Sequence, residues 1–545
     1  MHSFKHYILV IAISLLPFIT VFSSDLAPHT HDSPVHFARI AAYYKALSEG
    51  QILPRWAGEL NYGYGMPLFN FIYHVPYLVA VIPVALGSGT VFAFKFSLAV
   101  SFLLSGVFMY LFAATFFKDT RRAALVTALY QFAPFHLIDL VVRGDMAEGY
   151  ALAFLPLVLY SLQRGFEGKT VSASMLLTAV ATLLLITSHN AISLVFFGVC
   201  ALFAVVFAPS HAKRLQAGLG LSLGLALAAF YWLPALVERR YTYGDLFMKD
   251  MYLSHFAPLW HFFLPNLTNA PSLQTGGIAV SLGLVPMLGF FAAMILLVGN
   301  KISAKHDRLA LWFGLFLSVA ALFVMQPISK VFWENIPILR MFQFPWRLLN
   351  VTTFSLAMIG GIVFVSKKTS RKMTLFLIAV TVLSSLVYFR PPLGMDRVDE
   401  AYYWDYPLNT TYFGETDIIW SAGPKDSYPA NRFEVVGGEG TVSDPVKRGT
   451  KHTFTVNAAT DVQVVDKTQY FPGWRVYTGT TKVPVEFQDQ NWRGLITFRL
   501  PPGTHHVTVA WEDSPIRRIA KIITFISAVV CTVLFALRKK IIAYG

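Results

Sequence analysis

The chain has 545 residues, 55% of them hydrophobic, and a mean hydropathy of +0.54. That balance, with repeated apolar runs of roughly 17–25 residues, excludes a water-soluble fold and leaves room for about a dozen membrane spans plus one water-exposed domain. The 44 Lys and Arg against 30 Asp and Glu give a formal charge of +14, but the basic residues fall in short clusters between apolar runs, the pattern of cytoplasmic loops and not of a nucleic-acid surface.

In chain order, the apolar runs predict spans at 7–23, 91–117, 123–139, 150–163, 171–187, 191–208, 217–233, 277–298, 309–326, 347–365, 373–389 and 519–537. Twelve crossings put both termini in the cytoplasm. The first run also reads as a cleaved signal peptide, since Lys5 precedes it and Val21-Phe22-Ser23 resembles a cleavage site. The stretch 66–87 is apolar enough to cross but is interrupted by Pro67, Pro76 and Pro83. A crossing there would put the later basic loops outside, so an interfacial or re-entrant segment is expected. The clusters that set this topology are Lys118 with Arg121 and Arg122, Arg164 with Lys169, Lys213 with Arg214, Lys301 to Arg308, Lys367 to Lys372, and Arg538 to Lys540. Cys200 and Cys531 both lie in apolar runs, so no disulfide is expected.

Four outer regions are long, 24–90, 234–276, 327–346 and 390–515, whereas the cytoplasmic loops carry little beyond charge. The outer face is therefore the expected working face. In the first loop, His29-Thr30-His31-Asp32-Ser33-Pro34-Val35-His36 gathers an acid and three histidines at a helix start. Ser33 is the expected N-cap and Pro34 a first-turn residue. Phe37, Ile40, Ala41, Tyr44 and Leu47 make one apolar stripe, and Gly50 ends a helix expected to lie along the membrane surface. From about 398 the chain turns polar. Alternating runs at 433–436, 453–456, 462–465, 495–498 and 506–510, separated by Pro472-Gly473 and Pro501-Pro502-Gly503, predict a small β-sandwich. The expected organisation is a transmembrane domain over 1–390, an extracytoplasmic β-rich domain over 391–515, and a final span with a cytoplasmic tail over 516–545.

The order of Asp32, a helix ending in Glu49-Gly50, Pro54-Arg55-Trp56, Tyr64-Gly65-Met66-Pro67 and a span closed by Lys118-Asp119-Thr120-Arg121-Arg122 resembles the GT-C glycosyltransferases. Val142-Arg143-Gly144-Asp145-Met146-Ala147-Glu148, Phe342-Gln343-Phe344-Pro345-Trp346-Arg347 and Tyr470-Phe471-Pro472-Gly473-Trp474-Arg475-Val476-Tyr477 resemble, more closely, the YfhO-like and "6-pyruvoyl-tetrahydropterin synthase-related" bacterial membrane proteins. With twelve spans there is no room for a soluble pterin-synthase domain, and no zinc triad is evident. The resemblance implies a GT-C-like helical membrane fold. It also implies a hexosyl- or pentosyltransferase, inverting, that moves a sugar from a polyprenyl-phosphate donor to a glycan, lipid or protein acceptor on the outer face of the cytoplasmic membrane.

A phosphate leaving group departs without a general acid, so such a site needs one base and cations for the departing charge. Asp32 matches the base, with a helix-start role as its alternative. Glu148 or Asp145 matches a supporting acid, and either can instead neutralise Arg143 as a structural pair. Arg143, Arg239, Arg240 and Arg347 are candidate phosphate ligands, although Arg347 beside Trp346 also reads as an interface anchor. His189 is a candidate substrate contact in the turn before the span at 191–208. His29, His31 and His36 have metal-ligand side chains in no strong motif, and a divalent Mg or Mn is compatible but not required. The competing readings are a lipid-linked glycan transporter or flippase, which calls for ionisable residues near the bilayer midplane, and a non-catalytic envelope assembly protein.

Overall fold

The computed structural model describes residues 2–168, 171–264, 280–366, 368–411 and 414–542, with side chains over 10–536 of these. Lys169, Lys367, residues 265–276 of the second outer region and the side chains of Arg538, Lys539 and Lys540 lie outside the described residues.

Among the described residues each expected span falls on a helix or on a bent helix pair, the one at 277–298 from Leu284 onward, with 277–279 outside the described residues. Among the described residues, five helices qualify by length and apolarity as membrane-crossing: Thr90–Phe117, Asn190–Phe207, Lys305–Val324, Pro345–Phe364 and Pro515–Ala536. Two bent pairs, Thr120–Gln131 with Pro134–Arg143 (53°) and His211–Leu227 with Ala229–Tyr241 (66°), raise the figure to seven. Others of the expected spans fall on helices too short for this count, such as Val171–Ile186 and Leu284–Val298. The stretch 66–87 forms two separate helices, Leu68–Phe71 and Val75–Ala85. The longer of these rises only about 16 Å, so neither crosses alone.

Helix Thr90–Phe117, about 42 Å long, packs along Met146–Glu167 at the centre of the bundle. Pro345–Phe364 is also central, with 89% of its apolar window buried, whereas Pro515–Ala536 has 11% buried and lies at the periphery. Beyond Phe117 the basic clusters converge. Lys118 pairs with Glu167 (2.6 Å), Arg122 with Asp307 (2.9 Å), and Lys213 donates to the Gly165 carbonyl (2.6 Å). At the opposite end Thr90 donates to Glu400 (3.0 Å), close to the β-domain. The bundle thus has a basic end and a loop end. Cys200 and Cys531 are both free thiols.

The first long loop is pinned to that loop end. Strand β1 (Ala27–Pro28) pairs antiparallel with β2 (Met395–Asp396), and helix Ser33–Ser48 follows. Its N-cap is Asp32, not Ser33. The Ser33 hydroxyl instead accepts from the Thr30 amide (3.4 Å), and the Ser33 amide donates to the Thr30 hydroxyl (3.0 Å). Nor is the helix a one-sided surface helix. Ser33, His36, Phe37, Ala38, Ile40, Ala41, Ala42, Tyr43 and Ala46 are buried because helices Thr90–Phe117, Val75–Ala85 and Glu400–Trp404 cover it on several sides.

The C-terminal region forms two antiparallel sheets. One carries β4 (Gly440–Arg448), β5 (Lys451–Ala458), β10 (Gly503–Trp511), β7 (Trp474–Thr478) and β8 (Thr481–Val483) in that order. The other carries β3 (Phe433–Gly437), β6 (Val462–Gln469) and β9 (Leu495–Leu500). Phe454, Val456, Val464, Trp474, Phe498 and Val509 fill the space between them, as alternation in the strands requires. Trp56 of the first loop completes this core, packing on Trp474 (5.3 Å) and Trp511 (5.4 Å). The Tyr470-to-Tyr477 motif is half turn and half strand. Gly473 at φ +122° makes the turn, where a Cβ would lie 2.5 Å from the Glu512 carbonyl oxygen.

Candidate active site

A sharp break in the chain assembles the polar centre. The π-helical turn Ile138–Arg143 ends at Gly144, whose φ of +75° lets the chain reverse. A Cβ at Gly144 would sit 2.2 Å from the Thr30 hydroxyl, so only glycine allows the first loop this close. The loop is stitched there by the His31 amide to the Val142 carbonyl (3.1 Å) and the Asp32 amide to the Arg143 carbonyl (2.9 Å).

Asp145 caps helix Met146–Glu167. Its Oδ1 accepts from the amides of Ala147 (2.9 Å) and Glu148 (3.0 Å), and its Oδ2 from Arg143 (3.0 Å). Burial alone would raise this carboxyl, but Arg143, with His189 and Arg347, carries it well below the usual carboxylate range. Glu148, on the first turn, is fully buried. Its Oε1 accepts from Arg347 Nε (2.8 Å) and forms an ion pair with Arg143 Nη1 (2.8 Å), and its Oε2 accepts from Asn350 (2.6 Å). Arg143 also pairs with Asp139, and its guanidinium lies 5.0 Å from the Trp346 ring centre. Arg347 continues to Gln343 Oε1 (2.7 Å). This is a buried, mutually paired network whose charges hold one another in place.

His189 caps the helix Asn190–Phe207. Its Nδ1 accepts from the amides of Ala191 and Ile192, both at 3.1 Å, and burial lowers its pKa to about 4. A neutral ring that accepts at Nδ1 holds its proton on Nε2, the atom 3.8 Å from Glu148. Asp145, Glu148 and His189 do bring one ligand atom each within 4.8 Å of one another. However, the His189 nitrogen that faces the carboxylates is a donor, and the carboxylates are already engaged by guanidinium, amide and side-chain N–H groups. This donor set does not fit a divalent cation. His29, His31 and His36 do not converge either. His29 pairs with Asp396 (2.7 Å), His31 is exposed, and buried His36 meets the Tyr77 hydroxyl (3.0 Å).

Asp32 stands at the edge of this centre, partly exposed, with a side chain that makes no capping hydrogen bond. Enclosure of the carboxyl pushes its pKa up to about 6, against the pull of Arg143, Arg39 and Arg347 and with the push of Asp145. Arg39, two turns along the same helix, directs its Nε and Nη2 to the Thr410 hydroxyl (3.0 Å) and carbonyl (2.7 Å), not to a carboxylate. Tyr73 stacks on both His189 (5.7 Å) and Tyr77 (5.8 Å) and walls the same region. Asp32, Arg143, Asp145, Glu148, His189 and Arg347 therefore come together. Arg239 and Arg240 do not: Arg239 pairs with Asp245 (3.1 Å), and Arg240 stacks on Tyr241 (4.9 Å). Arg39, Asp139, Tyr73, Tyr77 and Asn350 join the centre without having stood out in the sequence. The available signals were the seven-residue spacing from Asp32 to Arg39 and the three-residue spacing from Arg347 to Asn350.

Apolar helices of spanning length, a basic end, and a buried charge centre with one loosely held acid at the other end define a multi-pass membrane protein with a polar site at its loop end. The chain belongs to the family described as "6-pyruvoyl-tetrahydropterin synthase related domain; membrane protein", whose model matches residues 71–391. An uncharacterized protein of Lactococcus lactis subsp. cremoris (strain MG1363) is 23% identical over 247 residues, covering 43% of this chain and 40% of that protein. The match thus spans less than half of the curated relative. Among solved structures, the arabinofuranosyltransferase AftD from Mycobacteria aligns with a TM-score of 0.44 and 16% identity over 74% of this chain and 27% of that one. The apo oligosaccharyltransferase of Archaeoglobus fulgidus aligns with a TM-score of 0.42 and 13% identity over 78% of this chain and 61% of that one.

Proposed function

We propose that this membrane protein is a glycosyltransferase that transfers a sugar from a polyprenyl-phosphate donor to an acceptor hydroxyl at the outer face of the cytoplasmic membrane. The twelve-span topology with the basic end in the cytoplasm belongs to the same proposal. The observation that carries it is the placement of Asp32: a partly exposed carboxyl at a helix start, raised to about 6, within the field of Arg39, Arg143 and Arg347. Near neutral pH such a group is ionised and able to take a proton.

In the proposed reaction, Asp32 removes the acceptor hydroxyl proton as the acceptor oxygen bonds to the anomeric carbon. The bond from that carbon to the phosphate oxygen breaks, and its electrons leave with the polyprenyl phosphate. Direct displacement inverts the anomeric centre. Arg39 is the guanidinium best suited to the departing phosphate, because its partner Thr410 is neutral, whereas Arg143 and Arg347 are held by carboxylates. Glu148 and Asp145 act by holding those arginines. The paired network argues against a carrier: an ion-coupled transporter needs a buried group that is free to change partners.

Mass spectrometry of lipid-linked and envelope glycans tests the reading in cells with the wild-type protein, no protein, or Asp32→Asn. The expected result is that a polyprenyl-phosphate sugar accumulates and a glycan modification disappears equally in the last two. A variant that matches wild type while the deletion has a phenotype would make Asp32 structural and return the transporter and assembly readings.

A further inference from the structure

A cavity of about 260 Å³ lies where three distant parts of the chain meet, and it shares no lining residue with the Asp32 centre. Glu238, Arg240 and Tyr241 come from the end of the bent helix pair His211–Leu227 with Ala229–Tyr241. Tyr470 and Arg475 come from the β-domain turn, and Ser514 precedes the last helix. Both helical elements are apolar and of spanning length, and the cavity sits at the ends where they meet the β-domain. Its depth is therefore that of a membrane interface, where tyrosines commonly lie.

The charge balance of this cavity is its distinguishing feature. Glu238 is fully committed. Arg517 donates to its Oε2 from Nε (3.0 Å) and Nη2 (2.9 Å), Asn70 donates to the same oxygen (2.9 Å), and Ser514 donates to Oε1 (2.6 Å). Glu238 and Arg517 are each 1% exposed, so the pair is a closed neutral unit beneath the cavity. Of the nearby acids, Asp513 is ion-paired with Arg55 (3.4 Å) and Lys521, and Glu512 accepts from the Tyr477 hydroxyl (2.6 Å) but keeps its charge. Arg240 and Arg475 are left with neutral partners only: the Tyr241 hydroxyl (2.8 Å) for Arg240, and the Trp474 carbonyl (3.5 Å) with the Tyr470 side chain for Arg475. Neither has an ion pair among the described residues. Two guanidinium groups of like charge across an interfacial cavity repel one another, and a dianion between them removes that cost.

We propose that this cavity binds the phosphate head group of an amphiphile, with Arg240 and Arg475 on the phosphate oxygens, the tyrosines beside its first substituent and the tail along the exposed last helix. The ligand class is a phosphate mono- or diester on an apolar chain, and the assignment does not depend on the reading of Asp32. The cavity has room for the phosphate and the groups next to it, so the tail lies outside.

The test is native mass spectrometry of the full-length protein, delipidated in a neutral detergent and titrated with phosphatidylglycerol, a polyprenyl phosphate or diacylglycerol. Wild type is expected to retain the phosphate-bearing lipids and not diacylglycerol, with millimolar inorganic phosphate displacing them. Arg240→Gln with Arg475→Gln should weaken retention at least tenfold, and Arg240→Lys with Arg475→Lys should recover part of it. Both arginines lie outside the core, so thermal unfolding of the two double variants should match wild type. A tenfold preference for polyprenyl phosphate would identify a carrier lipid, and equal retention of phosphatidylglycerol an ordinary bilayer lipid. Unchanged retention in the glutamine double variant, or equal binding of diacylglycerol, would overturn the proposal. Asp32→Asn should bind as wild type, so failure of the catalytic reading leaves this result intact.

Discussion

Replacing Asp32 with asparagine separates a catalytic carboxylate from a structural one, because the two roles predict opposite signs for stability. The side chain makes no capping hydrogen bond, so the isosteric amide gives up no helix contact. A folded-state pKa of about 6 against an ordinary 3.8 means that ionised Asp32 opposes folding. Two units correspond to about 3 kcal/mol at most, and partial exposure reduces this to roughly 1–2 kcal/mol. The sign follows from linkage. The cost is absent below pH 3.8, where the carboxyl is protonated in both states, grows between 3.8 and 6, and is complete above 6. Asp32→Asn should therefore be more stable than wild type at pH 7.5, by a few degrees in tryptophan-monitored unfolding in detergent, and equal to it near pH 3.8. Transfer activity should fall about 10²–10⁴-fold, the usual contribution of a general base, while wild-type activity rises with pH through a limb near 6. Loss of stability in the variant would refute the argument that the carboxylate is held at a cost, and retained activity would refute its role as base.

Glu148→Gln leaves Arg143 and Arg347 without their shared carboxylate and should destabilise the protein by about 3–5 kcal/mol; adding Arg347→Met should restore part of that loss, as measured by denaturant unfolding of the four-member cycle. Arg39→Gln should lower transfer roughly 10–100-fold and, because it gives up hydrogen bonds from a charged group to Thr410, cost about 1.5–3 kcal/mol in unfolding; the same stability loss with transfer unchanged would make Arg39 a packing residue. EDTA treatment of purified protein should leave both activity and unfolding temperature unchanged, because the His189 nitrogen facing Glu148 is a donor; activity that is lost and then restored by added Mg or Mn would overturn the assigned tautomer.

Much of the architecture was legible because apolar periodicity records burial directly. Each expected span overlaps a helix among the described residues, and the five strands read from alternation are present as β3, β5, β6, β9 and β10. Strand β4 escaped notice because it is largely exposed and interrupted by a bulge between Ser443 and Val446, so its side chains do not alternate. β7 was hidden inside a motif that reads as a turn. In the first loop, an apolar stripe suggested a helix with one wet side, but small residues such as Ala38, Ala42 and Ala46 allow neighbours to close over the rest. Asp145 and Glu148 were visible as acids beside Arg143. The grip of Glu148 on Arg347 depends on a contact across 199 positions, which no local pattern reports. Arg239 and Arg240 were drawn into the same expectation by charge alone, and the fold pairs Arg239 with Asp245 and places Arg240 on a different cavity.

The burial of Trp56 in the β-domain has a consequence for biosynthesis. The indole leaves the ribosome long before the strands at 433–511 that enclose it, so the first loop must wait, with an aromatic anchor uncovered, until those strands have been made. A chain that stops short of β10 lacks Trp511 and cannot finish that enclosure. Docking of Trp56 thus registers synthesis as far as β10: the segment carrying Asp32 is tied down from both sides only in molecules whose β-domain has folded.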